Sequence, residues 1–283
     1  MSAIPKAHHS TVLDLAKRLD LNHHVGSELS GVDLTRLTDA DVTAIQRLIA
    51  DRGVLVFRHP PMSLDEQLAL GRRFGKLHVH PVFADKERAE ALRIHADANS
   101  KHAAGEIWHT DVSCDLEPPA ISMLRIEVAP SYGGDTAFAS MYAAYDALSK
   151  PMQTFLLNLQ AEHTGELPFR GRFKVQSEQQ YPVNIHPVIR THPISKRKAL
   201  FVNPGFTDKI KGVSKRESKA LLDMLFDHVA YNVEFQCRVR WEPHSLTMWD
   251  NRCVQHFASW DYFPQTRSGW RVTTAGERPY LEL

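Results

Sequence analysis

The sequence predicts a mainly β fold with helices packed around it, a sandwich or barrel rather than a doubly wound parallel sheet. Three observations lead there. In the C-terminal third, Val233, Phe235, Cys237, Val239 and Trp241 alternate with Glu234, Gln236, Arg238 and Arg240, the two-residue period of a half-buried strand. Residues 246–249 and 272–274 read as further short strands, with Asp250-Asn251 as a turn between them. Helical segments fall among the strands without the regular βαβ rhythm of a parallel sheet.

Taken in order, residues 38–52 carry Val42, Ile45, Leu48 and Ile49 as a helical stripe, with Gly53 placed to end it. Residues 54–57 (Val-Leu-Val-Phe) form a short apolar, β-branched run expected to be a buried strand. Ser63-Leu-Asp-Glu66 has capping-box spacing and opens a second helix that ends at Gly75. Ser149-Lys-Pro151 marks another helix start, because proline is tolerated in the first turn. Ser214-Lys-Arg-Glu217 is a further capping box, before a helix carrying Leu221, Leu222, Leu225 and Val229. No internal repeat, low-complexity tract or Gly/Ser linker interrupts residues 1–283, so a single domain is expected.

Composition removes several classes of function. With 43% hydrophobic and 24% charged residues and a net charge of +1, the chain can build a core and lacks the basic excess of a nucleic-acid binder. No run reaches the ~18 apolar residues of a membrane helix, and residues 1–20 show no secretory pattern. The three cysteines form no CxxC pair, which fits a reducing, cytoplasmic setting rather than a disulfide scaffold or structural zinc site. Sixteen histidines direct attention to metal chemistry.

Strand side chains at i and i+2 share a face, so a His-x-Asp pair can offer an imidazole and a carboxylate to one metal. A distant histidine then completes a face of three ligands and leaves iron positions open for a co-substrate and O₂. Two such pairs occur, His95-Ala-Asp97 and His109-Thr-Asp111, where about one is expected by chance. Context favours the second. It lies within Trp108-His-Thr-Asp-Val112, ahead of Gly133-Gly-Asp-Thr136. Further on come Trp249-Asp-Asn-Arg252 and His256, then Arg267 and Arg271. If the last stretch is extended, the two arginines face the same way. Such a pair suits two anionic ligands, since guanidinium forks bind carboxylates and sulfonates.

These four ordered motifs resemble the taurine dioxygenase family of Fe(II)/2-oxoglutarate-dependent oxygenases, from about Gly26 to the C-terminus. The resemblance implies a double-stranded β-helix, a jelly roll with helices outside. It implies that His109, Asp111 and His256 bind Fe(II), and that Thr136 and Arg267 hold the distal carboxylate of 2-oxoglutarate. Arg271 would grip the anionic group of the substrate. It makes His95-Ala-Asp97 the decoy. The reaction implied consumes 2-oxoglutarate and O₂, yields succinate and CO₂, and hydroxylates a substrate carbon.

His80, in Phe74-Gly-Lys-Leu-His-Val-His-Pro-Val-Phe83, matches a sulfonate contact of taurine oxygenases, and Phe206 matches an aromatic pocket residue. Two departures count against taurine itself: Phe83 stands where that enzyme has a tyrosine, and Gly105 where it has an asparagine. Losing those polar partners weakens selection for a small zwitterion. A sulfonate such as taurine, cleaved to sulfite and an aldehyde, remains the leading expectation, with a sulfate ester or aryloxyalkanoate as the alternative. Two rival readings stay open on the residues alone. One is a zinc hydrolase built on His78-Val-His80, the other a non-catalytic metal- or anion-binding β-barrel. A homo-oligomer, dimer or tetramer, is expected, with no nucleic-acid or membrane partner.

Overall fold

The computed structural model describes residues 11–60, 62–84, 87–175, 178 and 180–282. The start of the chain, part of the 1–20 stretch read above for a secretory pattern, lies outside them. Seven strands form the larger sheet, in the order Lys17–Asp20, Ser27–Ser30, Val54–Phe57, Leu246–Asp250, Ile121–Val128, Arg267–Thr273 and Ala91–Ala96. A three-stranded sheet, Gln236–Val239, Thr136–Ser140 and Val254–Ala258, faces it. Thr207–Ile210, Gln160–Thr164 and Val183–Pro187 make a further three-stranded sheet, and Ile189–Thr191 pairs with Lys198–Leu200.

Alternation of side chains sorts the core into two layers. Val54, Val56, Leu124, Ile126 and Trp249 point from the large sheet towards Phe138, Val239 and Val254 of the small one. The residues between them, Leu55, Phe57, Ile121, Met123, Leu246 and Met248, point outward and are covered by Ile45, Ile49, Leu70 and Phe74. This is a jelly roll with helices packed on the outer face, the fold class that the sequence and its resemblance indicate.

The covering helices have the ends their sequences encode. Asp39–Arg52 begins at Thr38, whose hydroxyl accepts from the Asp41 amide while the Asp41 carboxylate accepts from the Thr38 amide. It ends at Gly53, where φ is 71° and a Cβ would lie 2.5 Å from Val254. Leu64–Phe74 and Lys215–Tyr231 start on the capping boxes at Ser63 and Ser214, and Lys150–Leu156 on Ser149 with Pro151 in the first turn.

One expected strand is shorter than its alternation suggests. Val233–Phe235 is a 3₁₀ turn, and the strand is Gln236–Val239. The preceding helix decides this: the Gln236 side chain donates to the Val229 and Ala230 carbonyls, closing the helix end. Val233 is left 73% exposed, so only Phe235 of that trio is buried.

Candidate active site and metal centre

The two distant histidines meet through backbone pairing. The His109 amide donates to the His256 carbonyl at 3.0 Å and the His256 amide to the His109 carbonyl at 2.9 Å. This isolated bridge sets the imidazoles side by side, 4.0 Å between ring centres. Asp111, two residues on, turns its Oδ1 towards both rings, 3.7 Å from His109 Nε2 and 3.9 Å from His256 Nε2. All three side chains are buried.

The donor set fits a divalent metal. His109 Nδ1 is taken by the Ile107 carbonyl at 2.7 Å, which fixes the tautomer that leaves Nε2 free as a ligand. Burial lowers the pKa of both histidines, keeping them neutral as ligands must be. Burial alone would raise the pKa of Asp111. The Arg271 guanidinium and the Ser122 hydroxyl outweigh it and hold the carboxylate ionised.

The other histidine motifs do not form such a centre. His95 Nε2 sits 3.5 Å from Asp97, but Asp97 also caps its own turn, accepting from the Asn99 amide and Ser100 hydroxyl. His78 pairs with Asp115, and His80 Nδ1 accepts from the Val82 and Phe83 amides. Neither pair belongs to a compact group of three ligands among the described residues. A second compact group, His192, Asp250 and Cys253, does exist. There the Arg252 guanidinium already neutralises Asp250 through contacts of 2.8 and 2.7 Å.

Around the triad opens a cleft of about 900 Å³, its mouth included. It gathers His80, Phe83, Thr136, Phe206, Arg267 and Arg271 with the three clustered residues. Both arginines come from one strand, Arg267–Thr273, with two opposite neighbours at different spacing. It pairs regularly with Ala91–Ala96 but shifts register against Ile121–Val128 at Ser268/Gly269. Gly269 permits that approach, because a Cβ there would lie 2.2 Å from the Arg125 carbonyl oxygen.

Arg267 is 3% exposed and has no carboxylate within 4.0 Å among the described residues. It lies over the Trp241 ring, and its Nη2 contacts Thr136 Oγ1 at 3.3 Å, while Nε has no partner. Trp241 Nε1 also donates to Thr136 Oγ1, at 2.9 Å. With two donors already facing its oxygen, the Thr136 hydroxyl has its own proton to give. A buried cation with no carboxylate within 4.0 Å among the described residues, beside a free donor, is built for an anion.

Arg271 takes a different partner. Its Nη1 donates to Asp111 Oδ1 at 2.6 Å, and its Nε is buried without a partner. His80 stands beside it as a neutral imidazole, its pKa pushed down to about 3 by burial and then by the Arg271 charge. Because its Nδ1 accepts from backbone, the ring proton is on Nε2.

Apart from Arg172, which is paired with Glu106 at 2.9 Å, the rest of the wall is mainly apolar. Leu92, Ile94, Val112, Pro168, Phe169 and Phe173 line it, two of them, Pro168 and Phe169, supplied by the π-helical turn Glu166–Arg172. That turn was not expected from the sequence. Its Pro-Phe pair carries no periodic signal, and π turns of this kind occur often at functional sites. Ser122 and Asn251, which hold Asp111 from behind, were likewise missed as site residues. Asn251 does lie inside the Trp249-Asp-Asn-Arg252 motif.

Comparison with known proteins agrees with this geometry. Residues 17–273 match the family described as taurine catabolism dioxygenase TauD, TfdA family. An alpha-ketoglutarate-dependent sulfonate dioxygenase of Saccharomyces cerevisiae is 37% identical over 278 residues, covering 92% of this chain and 66% of that protein. An alpha-ketoglutarate-dependent sulfate ester dioxygenase of Pseudomonas putida is 34% identical over 293 residues, covering 98% and 94%. The crystal structure of a taurine dioxygenase from Burkholderia xenovorans superposes with a TM-score of 0.81 at 33% identity, covering 93% of this chain and 92% of that one. The chain therefore belongs to the TauD, TfdA family and is an Fe(II)- and 2-oxoglutarate-dependent dioxygenase.

Proposed function

We propose that this enzyme hydroxylates an organosulfonate at the carbon bearing sulfur, and that the substrate carries an alkyl or aryl body larger and less polar than that of taurine. The carrying observation is the division of one cleft between Arg267 and Arg271 and a mostly aliphatic and aromatic remainder, in which the one further arginine, Arg172, is paired with Glu106. In this reading His109, Asp111 and His256 hold Fe(II). With 2-oxoglutarate and O₂, the metal supplies the oxidant, leaving succinate and CO₂.

The chain's own residues do the positioning. Arg267 and the Thr136 hydroxyl take the distal carboxylate of 2-oxoglutarate. Arg271 and the Nε2 proton of His80 take the sulfonate, which aims the adjacent C–H at the metal. Phe83, Phe206, Phe169 and Phe173 enclose the body and keep water from the reacting carbon. Hydroxylation gives R–CH(OH)–SO₃⁻, whose C–S bond breaks as the hydroxyl loses its proton, releasing an aldehyde and sulfite.

Taurine fits this wall less well than an apolar sulfonate. Its ammonium would meet Ile94, Leu92 and phenylalanine rings, with no carboxamide among the lining residues. An alkyl sulfate ester or aryloxyalkanoate is the second reading, since either presents an anion with an apolar body to the same groups. The similarity to a sulfate ester dioxygenase supports it.

A single catalytic domain spanning residues 1–283, a homo-oligomeric state and a cytoplasmic location complete the proposal. For the last, the support is three buried, unpaired cysteines and no helix long and apolar enough to cross a membrane among the described residues. The test of substrate class compares butanesulfonate, a benzyl sulfonate and taurine by substrate-stimulated succinate formation. The apolar sulfonates should show the higher kcat/KM. Taurine turning over better than both would refute the apolar-body assignment.

A further inference from the structure

Asp111 is held from behind by a chain of buried hydrogen bonds whose direction can be worked out proton by proton. Trp249 Nε1 contacts Asn251 Oδ1 at 3.1 Å, and an indole nitrogen can only donate. The Asn251 oxygen is therefore on that side, where it also accepts from the Asp111 amide at 3.3 Å. Its amide nitrogen must then face the other way, donating to Ser122 Oγ at 2.9 Å and to the Ala120 carbonyl at 3.2 Å.

Ser122 Oγ receives that proton and lies 3.2 Å from Thr273 Oγ1. Its own proton goes to Asp111 Oδ2 at 2.7 Å, because an ionised carboxylate only accepts. Ser122 is 0% exposed, Asn251 1% and Asp111 3%, so the chain is shielded from bulk water. The other carboxylate oxygen, Oδ1, is the one that faces both histidine Nε2 atoms.

We infer that Ser122, oriented by Asn251, is a positioning residue that makes Asp111 a one-oxygen metal ligand, presenting Oδ1 and withholding Oδ2. This rests on the reading of His109, Asp111 and His256 as the metal ligands. Without the Ser122 proton Oδ2 loses the hydrogen bond that holds it back, the Arg271 contact on Oδ1 is left to restrain the carboxylate alone, and the ligand face loses its fixed geometry. Ligand-orienting partners of this kind change metal affinity roughly 10- to 100-fold when removed.

The experiment titrates the metal-free, full-length protein with Co(II) under nitrogen. It reads the dissociation constant and the visible d–d absorption, alongside thermal melting of the metal-free form. Ser122→Ala should weaken Co(II) binding by roughly 10-fold or more and alter the d–d band. Ser122→Thr, which restores the hydroxyl, should recover both. If Ser122→Ala does not fold, Ser122→Cys gives a side chain of similar size that donates weakly, and should show the same loss. Folded Ser122→Ala or Ser122→Cys protein that binds Co(II) as the wild type does, with an unchanged band, overturns the clamp alone. A Ser122→Thr protein as weak as Ser122→Ala does so too. A wild-type chain that binds no divalent metal overturns the metal-site reading and the clamp with it.

Discussion

Arg271 Nη1 donates to Asp111 Oδ1 at 2.6 Å, so the proposed substrate arginine and the proposed metal-ligand carboxylate share one oxygen. Two neighbouring recognition tasks thereby meet on a single contact between the turn at Asp111 and the strand Arg267–Thr273. A divalent metal on Oδ1 would repel the guanidinium and leave it ready for an anion, an arrangement that links metal loading to substrate capture.

Replacing Arg271 by Gln should raise the substrate KM and lower kcat/KM about 100-fold, the loss of about 3 kcal/mol for charged hydrogen bonds to the anion. The 2-oxoglutarate KM should change little, because Arg267 is untouched. Initial-rate measurements with each co-substrate varied in turn separate the two. A rise confined to 2-oxoglutarate would assign the arginines the wrong way round.

The complementary change, Arg267→Met, should raise the 2-oxoglutarate KM by about 100-fold on the same reasoning. Thr136→Val should cost less, about 1 kcal/mol or roughly fivefold, since one neutral donor is lost and the cation remains. Arg267→Lys should not rescue, because a point charge cannot reproduce a planar fork over Trp241.

His109→Ala should abolish the visible band of the anaerobic Fe(II)–2-oxoglutarate complex, whereas His95→Ala should leave it intact. The two motifs are alike in sequence and differ in surroundings. His109 pairs by backbone with His256, while His95 contacts Ser268 on the outer edge of the sheet. Loss of the band in His95→Ala with retention in His109→Ala would reverse the assignment.

How much of this was legible in the sequence follows from the range of the forces involved. The helix starts at Thr38, Ser63, Ser149 and Ser214 were readable because a cap is settled within four residues. The strand at 236–239 was over-extended because the competing contact, Gln236 onto the end of the preceding helix, is invisible to a two-residue period. The nine residues proposed for the site could be named from ordered motifs and the family resemblance together, and they do line one cleft. The motifs could not show the Arg271–Asp111 bond, the orientation of Asn251 or the π turn at 166–172. Those depend on which backbone segments lie opposite one another, and spacing along the chain carries no such information.

Acid should destabilise the metal-free protein through two histidines outside the site. His163 and His186 are both fully buried, with pKa values pushed by burial down to about 3 and about 4. Above pH 6.5 they are neutral folded or unfolded and contribute no slope. Below it the unfolded chain takes up protons that the folded one refuses, so stability falls as pH drops towards 4. The slope is up to about 1.4 kcal/mol per pH unit for each group. Urea midpoints at pH 7.5, 6.0 and 5.0 measure this, and His163→Gln should flatten the dependence. A midpoint that rises on acidification would contradict it.

The most direct measurement incubates the Fe(II)-loaded enzyme with 2-oxoglutarate, O₂ and an alkyl sulfonate, and quantifies succinate and sulfite together. The expected result is sulfonate-dependent formation of both in equal amounts, lost in His109→Ala and slowed about 100-fold at sub-saturating sulfonate in Arg271→Gln. Succinate formed at the same rate with and without every sulfonate, sulfate ester and aryloxyalkanoate tried, and no sulfite released, would contradict the account.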